Sequence, residues 1–140
     1  MSLTGGCQCG AVRYAAHGQP FNSTLCHCTD CRKASGAPAF AWFSVDSDSL
    51  DWTASAPRRH ASSAHAERSF CPACGTTLTW QDARWPQEID LATGSLDDPE
   101  QVPPGDHTFV RSKLAWLQLQ DGLPQYRSTR AAGQGGDTAA

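Results

Sequence analysis

Seven cysteines in 140 residues, gathered into three clusters, constrain this chain more than any other feature of it. The clusters are Cys7-Gln8-Cys9, followed by Gly10; Cys26-His27-Cys28-Thr29-Asp30-Cys31; and Cys71-Pro72-Ala73-Cys74, followed by Gly75. An odd count does not pair fully into disulfides. The opening stretch "MSLTGGCQCG" has neither the basic nor the apolar region of a signal peptide, so a reducing, cytoplasmic setting is the expectation. In that setting clustered thiols serve metal ions rather than cross-links, and zinc is the ion this pattern suits best.

The third cluster is a zinc-knuckle pattern. A tight turn brings two sulfurs together, Pro72 presets φ inside it, and Gly75 permits a left-handed exit. Cys26, Cys28 and Cys31 are so close in sequence that they are expected to share one ion. Cys7, Cys9, Cys71 and Cys74 then form a complete four-thiolate set, whose metal closes a long loop and stabilises the fold. The three-cysteine cluster lacks a fourth ligand, and two readings of it stay open here. A histidine could close it, with His60, His65 and His107 as distant candidates and His27 turned away between two ligands. Alternatively the fourth position is vacant, the mark of zinc sites that bind a substrate or water. Iron also suits thiolates, but seven cysteines do not furnish two all-thiolate centres.

Composition narrows the function classes. The formal net charge is −3, and the basic residues come in pairs such as Arg32–Lys33 and Arg58–Arg59 rather than in stripes, which argues against nucleic acid as a partner. No apolar run approaches the ~20 residues that span a bilayer, so no membrane association is expected. Hydrophobic residues make up 39%, a modest share for which metal staples compensate. One domain is expected over residues 1–127, with a mobile tail over 128–140 that lacks core-forming side chains.

Glycine and proline interrupt the chain often, which favours short strands. Period-two patterns mark Ala11–His17, Pro38–Val45, Ser49–Ala54, Thr76–Trp80 and Glu88–Gly94 as strands. "TDCRKASG" is the helix candidate, with Thr29 as its cap and Gly36 ending it in a left-handed conformation. Ser112–Tyr126 fits either a short helix or a twisted strand, with a turn at Asp121–Gly122. Phe40, Trp42 and Phe43 follow the three-cysteine cluster; Trp42 and Phe43 are expected on opposite strand faces, with core packing favoured for each and a pocket wall as the alternative for one face.

The motifs "GGCQCGAVRY", "CHCTDCRKASGAP" and "FCPACGTTL", in this order and spacing, resemble the glutathione-dependent formaldehyde-activating (Gfa) family, which includes centromere-protein-V-like proteins. "HTFVRSKLAWLQLQDGLPQY" is similar to that family's C-terminal segment. The resemblance covers about Thr4 to Tyr126. It implies a mainly β, Mss4-like fold (the β-tent), with small antiparallel sheets around a structural zinc and one or two short helices. It implies a structural zinc on Cys7, Cys9, Cys71 and Cys74. It also implies a catalytic zinc on Cys26, Cys28 and Cys31, giving two Zn²⁺ per chain, the second open to partial loading.

The reaction so implied is that of a carbon–sulfur lyase of the S-(hydroxymethyl)glutathione synthase type, joining formaldehyde or a related aldehyde to glutathione or another small thiol. Zinc lowers the pKa of a thiol at an open position, which suits that chemistry. His27, Arg32 and Lys33 are the candidate assistants, as proton shuttle and compensating cations. Trp116, with Ser112 and Lys113, is a candidate for approaching the pocket. The alternative is a non-catalytic zinc-stapled binding module, or a thiol or glutathione carrier. With the resemblance in hand, the vacant reading of the three-cysteine cluster is preferred.

Overall fold

In a computed structural model that describes residues 2–132, short strands dominate as the punctuation predicts. They are β1 (Leu3–Gly6), β2 (Arg13–Ala16), β3 (Phe21–Cys26), β4 (Phe40–Asp46), β5 (Leu50–Trp52), β6 (Arg58–Ala61), β7 (Ala66–Phe70), β8 (Thr77–Asp82), β9 (Glu88–Ala92) and β10 (Asp106–Thr108). The one α-helix among the described residues, α1, spans Thr29–Ser35. Small antiparallel and mixed sheets with a single helix agree with the expected Mss4-like class.

The chain groups into two compact units. Among the described residues the first comprises 2–21 and 43–102, and the second 22–42 and 103–132. In the first unit, β1, β2 and β5 form an antiparallel sheet, with Leu3 opposite Ala16 and Tyr14 opposite Trp52. A second antiparallel run carries β6 to β9: His60 lies opposite Arg68, Arg68 opposite Trp80, and Trp80 opposite Asp90. Leu3, Val12, Tyr14, Phe43, Val45, Leu78 and Leu91 are fully or almost fully buried and make the core, with Cys7 and Cys71 packed among them. Two of the candidate metal ligands are thus part of the hydrophobic core, which fixes their backbones by packing.

In the second unit β10 lies parallel to β3, pairing Asp106 with Thr24, His107 with Leu25 and Thr108 with Cys26. Helix α1 ends at Gly36 with φ 76°, as expected, but its cap is Cys28 rather than Thr29. The Cys28 sulfur accepts the Cys31 N–H. The stretch Ser112–Tyr126 is neither helix nor regular strand. After a 3-10 turn at Val110–Ser112, Lys113 Nζ donates to the carbonyls of Leu114 and Leu117, at 3.1 and 2.8 Å. The ammonium takes backbone acceptors that a helix would have used for itself.

Ser128 and Arg130 fall inside the expected tail, yet both are tied down. Ser128 is fully buried, its carbonyl accepts the Phe109 N–H, and the Arg130 guanidinium pairs with the Asp106 carboxylate. Composition alone misses this, because a backbone acceptor and one cation do the holding. Residues 133–140 of that tail lie outside the described residues.

Candidate functional site

The two cysteine groups expected from spacing come together, each within one unit. The sulfurs of Cys7, Cys9, Cys71 and Cys74 all lie within 4.8 Å of one another, and so do those of Cys26, Cys28 and Cys31. A tetrahedral zinc with bonds near 2.3 Å separates its sulfurs by roughly 3.8 Å. Cys9 and Cys71 are 3.8 Å apart, Cys7 and Cys9 3.6 Å, and Cys26 and Cys31 3.3 Å. Both donor sets therefore fit a thiophilic ion, and all seven cysteines are free of disulfides.

The four-cysteine group is built from two knuckles on one plan. Cys7 N–H bonds the carbonyl of Val12, and Cys71 N–H that of Thr76, each spanning five residues at 3.0 Å. Gly10 and Gly75 leave the knuckles at φ 83°, a conformation that costs a side-chain-bearing residue ~1–2 kcal/mol. The Val12 amide points at the Cys7 sulfur (3.2 Å) and the Cys74 amide at the Cys71 sulfur (3.4 Å). Gln8 N–H reaches the Thr76 hydroxyl at 3.1 Å, joining the knuckles directly. The Thr76 hydroxyl and amide hold the Cys74 thiol down at about 5, so this sulfur is ready to bind as thiolate.

The three-cysteine group sits where β3 runs into α1. Cys26 closes the strand, Cys28 caps the helix, and Cys31 lies one turn in. Crowding and burial work against ionisation here. Hydrogen bonding from Cys28, then from Cys31, and then desolvation push the Cys26 thiol far above its ordinary range. A divalent cation reverses that balance, because its charge favours thiolate at every sulfur. The neighbouring Trp42 side chain favours the Cys31 thiolate, an influence the spacing of the cysteines does not record.

Among the described residues no histidine belongs to either group. His60 lies exposed on β6 and His65 in the turn before β7. His107 is buried, with Nδ1 2.9 Å from His27 Nε2 and Nε2 2.7 Å from Asp121 Oδ2. His27 is fully buried and faces His107, as the expectation that it turns away requires. Burial first, and then the neighbouring His107, Lys113 and Arg32, lower it to about 4. Arg32 donates to the Ser112 carbonyl at 2.5 Å rather than to a sulfur. Arg32 and Lys33 nonetheless border a hollow of about 270 Å³ shared with Leu114 and Trp116, and Trp116 is 68% exposed. Trp42 and Phe43 are both buried, in line with core packing for each, while Phe40 is half-buried.

The family profile described as "Glutathione-dependent formaldehyde-activating enzyme" matches residues 2–112. The chain belongs to this family. A Halomonas elongata protein, provisionally named a glutathione-dependent formaldehyde-activating enzyme, is 32% identical over 134 residues, covering 86% of this chain and 82% of its own. An uncharacterized lyase of Schizosaccharomyces pombe is 35% identical over 74 residues, 53% of either chain. The fold is also that of a crystallised Rhodobacter sphaeroides protein, with a TM-score of 0.61 at 22% identity, over 75% of this chain and 99% of that one. Within the family frame, the three cysteine motifs quoted from the sequence fall inside the matched span. The hollow beside Arg32 and Trp116 straddles its end at residue 112.

Proposed function

We propose that this family member is a zinc-dependent enzyme of the carbon–sulfur lyase type, joining formaldehyde or a related small aldehyde to glutathione or another small thiol. The overall step balances simply. A bond forms between the thiol sulfur and the aldehyde carbon, the C=O π bond opens, and the thiol proton ends on the oxygen. The observation that carries this reading is a group of three converging sulfurs with no fourth protein ligand among the described residues. Zinc held there by Cys26, Cys28 and Cys31 would supply an open position at which a thiol is acidified.

The chain's own residues contribute orientation. Arg32 and Lys33 follow Cys31 directly on α1, so cations stand one and two residues beyond a ligand, where the carboxylates of glutathione would be drawn. Trp116 and Leu114 give the same hollow an apolar wall for the thiol's carbon skeleton. His27, buried and held by His107, is a weaker candidate for proton transfer than its position in the sequence suggests. Cys7, Cys9, Cys71 and Cys74 serve the fold, because their sulfurs form a closed set.

Exchange NMR on glutathione and formaldehyde tests the proposal. The zinc-loaded protein should speed formation of the adduct above the uncatalysed blank, and Cys28→Ser should return the rate to the blank. The lack of any general acid among the three-cysteine donors favours one second reading, a carrier that binds thiol without accelerating addition. Glutathione binding with no gain over the blank would establish the carrier and exclude the enzyme.

A further inference from the structure

His27 is linked in the second unit to two side chains, His107 and Asp121, that take no part in the proposed reaction. His27, between Cys26 and Cys28, donates its backbone N–H to the Thr108 carbonyl at 3.0 Å, and its ring meets His107 as described. The His107 backbone is bracketed in turn: its N–H bonds the Pro124 carbonyl at 2.9 Å, and its carbonyl accepts the Tyr126 N–H at 2.8 Å. Asp121, with 41% of its side chain exposed, ends this linkage at a surface turn whose Leu123 N–H donates to its Oδ1 at 3.1 Å. A hydrogen-bonded line thus runs from the surface to the residue between two cysteine donors.

The line has a direction. The Asp121 carboxylate only accepts, so His107 Nε2 carries a hydrogen. With its Nδ1 free of hydrogen, His107 offers a lone pair there, and His27 donates from Nε2. His27 Nδ1 is left as a bare acceptor, and it is buried without a partner among the described residues. Both imidazoles, good zinc ligands in themselves, are committed to each other and to the carboxylate.

We infer that Asp121 and His107 are positioning residues of the three-cysteine site: acting through His27, they fix its Nε2–H tautomer and hold the Cys26–Cys28 peptide so that both sulfurs converge on Cys31. The inference rests on the reading that these three cysteines hold a metal. Partners that orient a metal site from outside its ligand set typically change metal affinity 10–100-fold when removed. Asp121 and His107 border a hollow of about 460 Å³, so shortening Asp121 removes no packed core.

The full-length protein loaded with cadmium-113 should give one resonance for each sulfur group, and long-range ¹H–¹⁵N spectra report the ring tautomers. The wild type should show His27 protonated at Nε2 and bare at Nδ1. In Asp121→Ala that signature should become mixed, the three-sulfur resonance should move, and chelator should strip that site about tenfold faster. The four-sulfur resonance should stay in place, which controls for folding. Asp121→Asn keeps an acceptor for His107 and should restore both signature and release rate. A wild-type His27 protonated at Nδ1 overturns the inference, as does a three-sulfur resonance and release rate unmoved in Asp121→Ala. A wild type showing only the four-sulfur resonance overturns the metal reading along with it.

Discussion

Asp97 shows how single residues hold the first unit. Its carboxylate takes two hydrogen bonds from the Arg13 guanidinium, at 2.8 and 2.6 Å, and a third from the Thr4 hydroxyl at 2.7 Å, while its amide bonds the Thr4 carbonyl. One side chain therefore ties together β1, β2 and the turn after β9. Arg13 first, and then Thr4, hold Asp97 down at about 2. The ordinary carboxylate value is about 3.9, so Asp97 binds protons less readily folded than unfolded. Its contribution is complete above that value and disappears as the pH falls towards 2. Paired chemical denaturation of wild type and Asp97→Asn should show a constant gap from pH 7 to 5 and a shrinking gap below pH 4. The gap should be small, under about 1 kcal/mol, because the pair is about half exposed.

At the scale of elements, α1 makes Cys28, a candidate metal donor, the helix cap as well. Serine is among the best cap residues, and its oxygen can accept the Cys31 N–H that the sulfur now accepts. Cys28→Ser should therefore keep the helix while removing one donor. Circular dichroism should remain that of wild type, and bound zinc should fall from two ions to one. Loss of helix signal with the metal would show that the ion, not the cap, holds α1. The knuckle exit allows a second test. Gly75→Ala should lower stability by about 1–2 kcal/mol in denaturant melts, because φ 83° opposes a Cβ.

These elements were legible because their signals are local. Cysteine spacing gave the two sulfur groups, and period-two patterns located β2, β4, β5, β8 and β9. The line from His27 to Asp121 was not legible, because it needs β10 laid parallel to β3, bringing together residues 80 positions apart in the chain. The irregular course of Ser112–Tyr126 was hidden for a related reason. Side-chain donors such as Lys113 decide it, and no periodicity records them.

At the scale of the whole molecule, the two cysteine groups bind the chain in different ways. The four-cysteine group joins the turn after β1 to the turn between β7 and β8, and Cys9 and Cys71 stand 62 residues apart. The three-cysteine group spans only residues 26–31, so an ion held there would restrict little of the unfolded chain. Loop closure costs more for the longer span, and a metal that closes it returns correspondingly more stability. A graded chelator titration followed by native mass spectrometry should therefore show two zinc ions, then one, before the protein unfolds. The first ion should leave with the near-ultraviolet circular dichroism of the first unit unchanged, and loss of the second should abolish it cooperatively. Cys74→Ser should behave as the fully stripped protein from the outset, with one sulfur missing from the set that closes the long loop. Cys28→Ser should behave as the one-ion intermediate. If both variants unfold alike, or if the first ion to leave takes the tertiary signal with it, the division into a fold-holding and a reactive metal is wrong.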